Sequence, residues 1–206
     1  GGRNTRKPVD TPPSSRFGVH MDYFTSDWHL GHSTIIRLAQ RPFATVEDMN
    51  KYIEYMALKG KKKGDSIYFI GDMGNDKKAI EHVLSEIKNH KIQFYWILGN
   101  HDNKLPLTRY RRYCAGIQYA RTIKRDHVKT YLHHFPCTTW DGSFRNSYHL
   151  YGHVHNGSHE LERLGQKMAG KALNVNLEFH DYEMWTWDEI VSFMATREDN
   201  WDIIKF

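Results

Sequence analysis

Short apolar runs and stretches of helical period take turns along this chain. Residues 21–26, 66–70 and 92–98 are compact and aromatic-rich, and they read as strands, the last one buried and ending at Gly99. Helical patterns separate them. A short helix is expected from a Ser33 cap to about Gln40, stopped by Arg41-Pro42. Thr45, with Asp48 in the usual place of a capping glutamate, opens a second helix with Met49, Ile53, Met56 and Val46 on one side. Asn75 or Asp76 caps a third, whose Ile80, Val83, Leu84 and Ile87 recur at helical spacing. The lysine-rich link Lys59-Gly60-Lys61-Lys62-Lys63-Gly64 reads as a solvated turn. It lacks the Gly-Lys-Ser/Thr and the preceding strand of a phosphate loop.

Beyond His101 the rhythm shifts toward strands. A basic helical piece over residues 108–113 precedes strands expected at 117–123, 128–132 and 147–151. Residues 172–179 alternate with period two, and Thr186-x-x-Glu189 caps a last helix through Phe193 and Met194. Interleaved strands and helices give a layered α/β domain with at least one parallel or mixed sheet.

The strand-like runs end in polar clusters that packing does not require. Asp27-Trp28-His29, Gly71-Asp72, Gly99-Asn100-His101-Asp102, His133-His134-Phe135-Pro136 and Gly152-His153-Val154-His155 each follow an apolar run. Open α/β sheets collect their sites at strand C-termini. Any one cluster is a weak signal, because short polar pairs are common. Together they offer carboxylates, imidazoles and an amide in numbers that suit two adjacent divalent ions sharing a carboxylate.

In their order, these clusters resemble the five sequence blocks of the calcineurin-like metallophosphoesterases. The likeness covers about residues 21–155 and is nearer to the small bacterial and phage members, whose opening block Asp27-Trp28-His29-Leu30-Gly31-His32 resembles. Residues 172–177 and Asp188-Glu189-Ile190 also resemble the family's tail, and His133 departs from it where serine is frequent. The resemblance implies a four-layer α/β sandwich of two mixed sheets flanked by helices. It implies one ion on Asp27, His29 and His155, another on Asn100, His134 and His153, and Asp72 bridging both. It places His101 near the leaving group, with Asp102 orienting it. Phosphate monoesters, diesters and anhydrides are the implied substrates. Manganese is the expected ion, with iron, zinc, nickel and cobalt as alternatives; magnesium alone suits so many imidazoles poorly.

The chemistry of the residues agrees with that likeness. Two ions would generate a bridging hydroxide, aim it in line at phosphorus and neutralise the phosphate oxygens. No Ser or Cys nucleophile is needed. His101 as imidazolium could protonate the leaving oxygen or stabilise its charge. Its neighbour Asp102 need not touch the ring. His32 is a candidate substrate contact, with helix capping or a surface place as alternatives. Strand alternation turns His133 away from His134. Arg109, Arg111 and Arg112 read as a solvated helix face, and Trp185 and Trp187 as packing.

Length and charge narrow the partners. The 206 residues suit one domain with one substantial core. Residues 1–20 are Pro-rich and aperiodic, end in His before Met21, and read as a linker or tag remnant ahead of a domain at 21–206. Arg3, Arg6, Lys7 and Arg16 against Asp10 account for +3 of the net +5, leaving +2. That residue of charge does not indicate a nucleic acid, and a small phosphorylated substrate is the expected partner. A metal-dependent nuclease and an inactive binding module of the same fold are the alternatives. No apolar run reaches the length of a membrane span, and Cys114 and Cys137 have no metal or redox spacing, so a cytoplasmic setting is expected.

Overall fold

The computed structural model describes residues 20–156, 168 and 170–200. The reading of residues 1–19 as a remnant therefore lies outside the described residues. The first sheet is built from the three aromatic runs, β1 (Asp22–Thr25), β2 (Ser66–Ile70) and β3 (Gln93–Ile97), all parallel. Parallel β4 (Gly116–Gln118) and antiparallel β9 (Trp185–Thr186) complete it in the order β4-β3-β2-β1-β9. The second sheet is β5 (Ala120–Arg125), β6 (Val128–His133), β7 (Tyr148–Tyr151) and β8 (Ala172–Asn174) in that order. β5 and β6 are antiparallel and the other pairs parallel, so both sheets are mixed.

Helices α1 (Ser33–Leu38), α2 (Val46–Leu58) and α3 (Lys77–Asn89) join one face of the first sheet. Met49, Ile53, Ile80 and Leu84 pack there with Trp28, Phe69, Phe94 and Trp96. On the sheet's other face, Phe24, Tyr68, Ile70 and Ile97 meet Leu132, Leu150 and Leu173 of the second sheet. Trp187, Ile190 and Met194 of α5 (Trp187–Met194) complete this core. Covering on both faces explains why β2 reads as an unbroken apolar run rather than an alternation. A short α4 (Leu107–Tyr110) lies in the link to β4.

Four local expectations are corrected. The run 117–123 is two strands in different sheets, β4 and β5, with Tyr119 at the crossing. The period-two stretch 172–179 is strand only over β8, and Leu177–Phe179 turns as a 3-10 helix. His32, not Ser33, occupies the cap of α1, without a side-chain capping bond. Thr45 does cap α2, but Asp48 returns its carboxylate to the Thr45 hydroxyl instead of the backbone N–H. The longer Glu189 reaches the Thr186 N–H at 2.7 Å and closes the full box on α5.

Candidate metal centre

Five loops at one end of the sandwich bring the polar clusters together. Beyond the ends of β1 and β2 the chains stay bonded side by side: the Asp27 and His29 N–H groups donate to the Gly71 and Asp72 carbonyls. Trp28, between the two ligands, turns the other way and packs 4.8 Å from the Phe69 ring. That anchor leaves Asp27 and His29 facing the site. Val154 does the same for His153 and His155: it is buried, and its carbonyl accepts from both Asn174 and Asn176. Across the sheets, the His153 N–H donates to the Asp27 carboxylate, and within the second sheet the Gly152 N–H donates to the His134 carbonyl.

Asp27, His29, Asp72 and His153 all have left-handed backbone, with φ between 51° and 69°. Such conformations cost non-glycine residues about 1–3 kcal/mol each and persist only where the surroundings enforce them. The glycines of the blocks have a different task. A Cβ on Gly99 would stand 2.2 Å from Asp72 Oδ1, and one on Gly152 would stand 2.4 Å from Asp27 Oδ2. Neither position has room for a side chain while the carboxylate holds its place.

The donors fall into two groups, Asp27 with His29 and His155, and Asp72 with His134 and His153. In the first, His29 Nε2 and His155 Nε2 stand 3.2 Å apart, and Asp27 Oδ1 lies 3.6 Å from His155 Nε2. In the second, Asn100 Oδ1 is 3.1 Å from both His134 Nε2 and His153 Nδ1. Asp72 Oδ2 lies between the groups, 3.3 Å from His134 Nε2 and 3.8 Å from His29 Nε2. Two nitrogens each ~2.1 Å from one ion stand roughly 3–3.4 Å apart, so this donor set fits divalent transition ions. All seven sequence-predicted ligands belong to it.

Hydrogen bonds at the far side of the His134 and His155 rings select the tautomer that leaves a lone pair for an ion. His134 Nδ1 donates to the Ile70 carbonyl at 2.8 Å, and His155 Nδ1 meets Glu178 Oε1 at 2.8 Å. His29 Nδ1 faces His32 Nδ1 at 3.2 Å. The charges differ between the groups. Burial pushes Asp27 up to about 6 against the pull of His134 and His155. Burial also opposes ionisation of Asp72, but its hydrogen bond with His134 prevails and holds it at about 2. The same bond raises His134 to about 9 despite burial.

His101 and Asp102 part company. The His101 ring is 48% exposed, with Nε2 3.9 Å from Asp72 Oδ2, and it meets His29 edge-on. It opens with His32 onto a cleft of about 420 Å³. Asp102 is fully buried and accepts from the N–H groups of Asp72, Met73 and Gly99 and from Trp96 Nε1, at 2.8–3.1 Å. The expectation that it orients the His101 ring is therefore corrected: it ties the Asp72 loop to the Gly99 loop. His133 lies outside both donor groups, with Nδ1 3.2 Å from the Phe135 carbonyl. Arg109 and Arg112 pair with Glu81 on α3 rather than facing the site.

Arg41 and Glu178 were not expected here. Arg41 is buried, ion-paired to Glu178 at 2.7 Å, and donates to the Asp27 and Trp28 carbonyls. Glu178 also accepts from the Asn156 N–H. Asn174, Asn176 and Glu178 support one another in sequence, since each asparagine side chain accepts from the next backbone N–H of the series. Their spacing of two residues is the visible signal, and it reads in the sequence only as strand alternation.

The calcineurin-like phosphoesterase profile matches residues 23–204. The uncharacterized protein MJ1445 of Methanocaldococcus jannaschii is 31% identical over 176 residues, 84% of this chain and 90% of its own length. A crystal structure of AQ665 from Aquifex aeolicus, a protein of unknown function, superposes with a TM-score of 0.65 at 23% identity, over 85% of this chain and 100% of that one. The chain belongs to the calcineurin-like phosphoesterases.

Proposed function

We propose that this chain hydrolyses small phosphate esters, nucleotide-like diesters or monoesters, at a centre of two divalent ions with manganese foremost. The observation that carries the reading is Asp72 Oδ2 set between the two donor groups. Asp27, His29 and His155 would hold one ion, Asn100, His134 and His153 the other, and Asp72 both. Ions bound there would supply Lewis acidity, activating water and neutralising charge on the phosphate.

The chain's own groups do the rest. Donors fixed by backbone and by carboxylates position the reacting phosphate without reorganisation. His101, exposed at the rim of the cleft, holds a proton at the leaving oxygen. His32, whose Nδ1 faces His29, lines the same cleft. Asp102 keeps the two loops in register and takes no part in proton transfer. A reducing, cytoplasmic setting suits the free cysteines Cys114 and Cys137. Among the described residues no helix is long and apolar enough to cross a membrane.

The test is a metal-resolved panel on p-nitrophenyl phosphate, its bis-ester, cyclic nucleotides and single-stranded DNA, repeated with His101→Asn. Turnover should drop by roughly 10²–10⁴-fold in that variant while metal content stays unchanged. The loss should be larger for alkyl or nucleoside leaving groups than for nitrophenolate, which departs without a proton. Loss of metal would make His101 a support for a ligand. Equal slowing of both substrate types would remove leaving-group protonation from its role.

A further inference from the structure

The cleft that His29, His32 and His101 open onto does not end at the proposed reacting phosphate. Gly74, Asn75, Lys77, Lys104 and Leu105 form its continuation. Lys77 is the first residue of α3, reached directly from the Asp72 loop, and Lys104 closes the 3-10 turn that follows His101. The two loops that carry Asp72, Asn100 and His101 therefore each deliver one lysine to the same wall. Among the described residues neither ammonium has a salt-bridge partner, and no carboxylate lines this cleft. Nearby arginines differ: Arg109 and Arg112 are both paired to Glu81.

We propose that Lys77 and Lys104 form a subsite for a second phosphate, carried by the leaving portion of the substrate. His101 lines this cleft with the lysines and its Nε2 also comes within 3.9 Å of Asp72 Oδ2; with His101 as the leaving-group acid, the part of the substrate on the lysine side is the one that departs. The preferred substrate is then a diester or anhydride with an additional phosphate on its leaving side. Water adds its hydroxyl to the reacting phosphorus and releases its proton to solvent, the bridging P–O bond breaks, and the leaving oxygen takes a proton from His101, which solvent then restores. The phosphorylated leaving group separates with its second phosphate still held by the lysines. Asn75 adds a neutral polar residue to the same wall. An uncharged leaving group gains nothing here, so the lysines select substrates rather than accelerate all of them.

This inference rests on the phosphoester reading and sharpens it, and the experiment separates the two. Metal-loaded protein and the double variant Lys77→Gln/Lys104→Gln are assayed on bis(p-nitrophenyl) phosphate and on dithymidine monophosphate with and without a terminal phosphate. In parallel, inorganic pyrophosphate is titrated calorimetrically into chelator-treated protein. The double variant should turn over the bis-ester within about twofold of the parent. On the terminally phosphorylated dinucleotide its KM should rise about tenfold or more, the size of a lost charge-assisted contact. Pyrophosphate binding should weaken to a similar degree, and both effects should shrink as salt is raised, because the lysines are exposed. A parent enzyme indifferent to the terminal phosphate, or pyrophosphate binding unchanged in the double variant, overturns the subsite. If no ester is hydrolysed at all, the phosphoester reading fails, and the pyrophosphate titration still decides whether the lysines bind a phosphate.

Discussion

The two donor groups are built from similar ligands but held by different means. Around Asp27, His29 and His155 the supports are charged side chains, with Glu178 on His155 and Arg41 on Glu178 and on the Asp27 carbonyl. Around Asp72 and His134 the supports are mainly backbone. The Ile70 carbonyl fixes His134, the His101 N–H donates to Asp72, and Gly99 leaves the space. Burial leaves the Asp27 carboxyl raised, whereas Asp72 is held low by His134. A side-chain support can be removed by one substitution. A backbone support is disturbed only by altering the loop that carries it.

Asp72 is where the comparison breaks down, because its Oδ2 lies within 3.8 Å of a histidine nitrogen of each group. Asp72→Ala should reduce turnover to the uncatalysed background and lower bound metal by more than one ion per chain. Elemental analysis beside the activity panel would check both. Loss of a single ion, with the other group still loaded, would mean that Asp72 belongs to one group and only neighbours the second.

A milder substitution sharpens the contrast. Glu178→Gln keeps the shape but removes the charge that orients His155, and metal affinity at the first group should fall by about 10–100-fold, the usual effect of losing such a partner. The second group should keep its ion. Gly99→Ala should do the reverse, since its new Cβ meets Asp72 Oδ1. Metal titration with anomalous scattering to locate the remaining ion distinguishes these results. Equal weakening of both ions by Glu178→Gln would show that the groups bind as one unit.

The same contrast explains what was legible in the sequence. Asp27, His29, Asp72 and Asn100 follow parallel strands with aromatic-rich runs, nearly continuous in the second and third, so polar residues at their ends stand out. The glycines beside them are visible for the same reason, being tied to carboxylates by lack of space. Arg41 precedes a proline and reads as a helix stop, although its guanidinium reaches Glu178 across most of the chain. Glu178 falls inside an alternating stretch, and nothing local separates a strand position from a ligand's support. The run 117–123 fails similarly: half-buried residues continue on both sides of Tyr119, and pattern alone does not say which sheet each half joins. Asp102 is legible as part of the cluster but not by its task, because adjacency to His101 carries no information about where its carboxylate points.

His149 provides a control, a buried imidazole on the same strand system as His153 but outside either donor group. Nδ1 donates to the Tyr131 carbonyl and Nε2 accepts from the Cys137 N–H, so the ring is held neutral by backbone alone. Burial lowers its pKa from an ordinary 6.5 to about 4. Below pH 6.5 the unfolded chain takes up a proton that the folded chain refuses. His149 therefore supports the fold fully above that pH, and the support is lost as pH falls toward 4. Each pH unit in this window should cost up to about 1.4 kcal/mol from this residue, or ~3 kcal/mol across it. Urea unfolding of chelator-treated protein at pH 7 and pH 5 would measure the slope, with His149→Gln as the non-titrating comparison. The variant should start lower at pH 7 and lose less on acidification. The difference between the two slopes isolates His149 from the metal ligands, which titrate in both proteins. Parallel slopes would mean that the ring already opens to solvent in the folded state, and that backbone bonds do not hold an imidazole as firmly here as the second donor group requires.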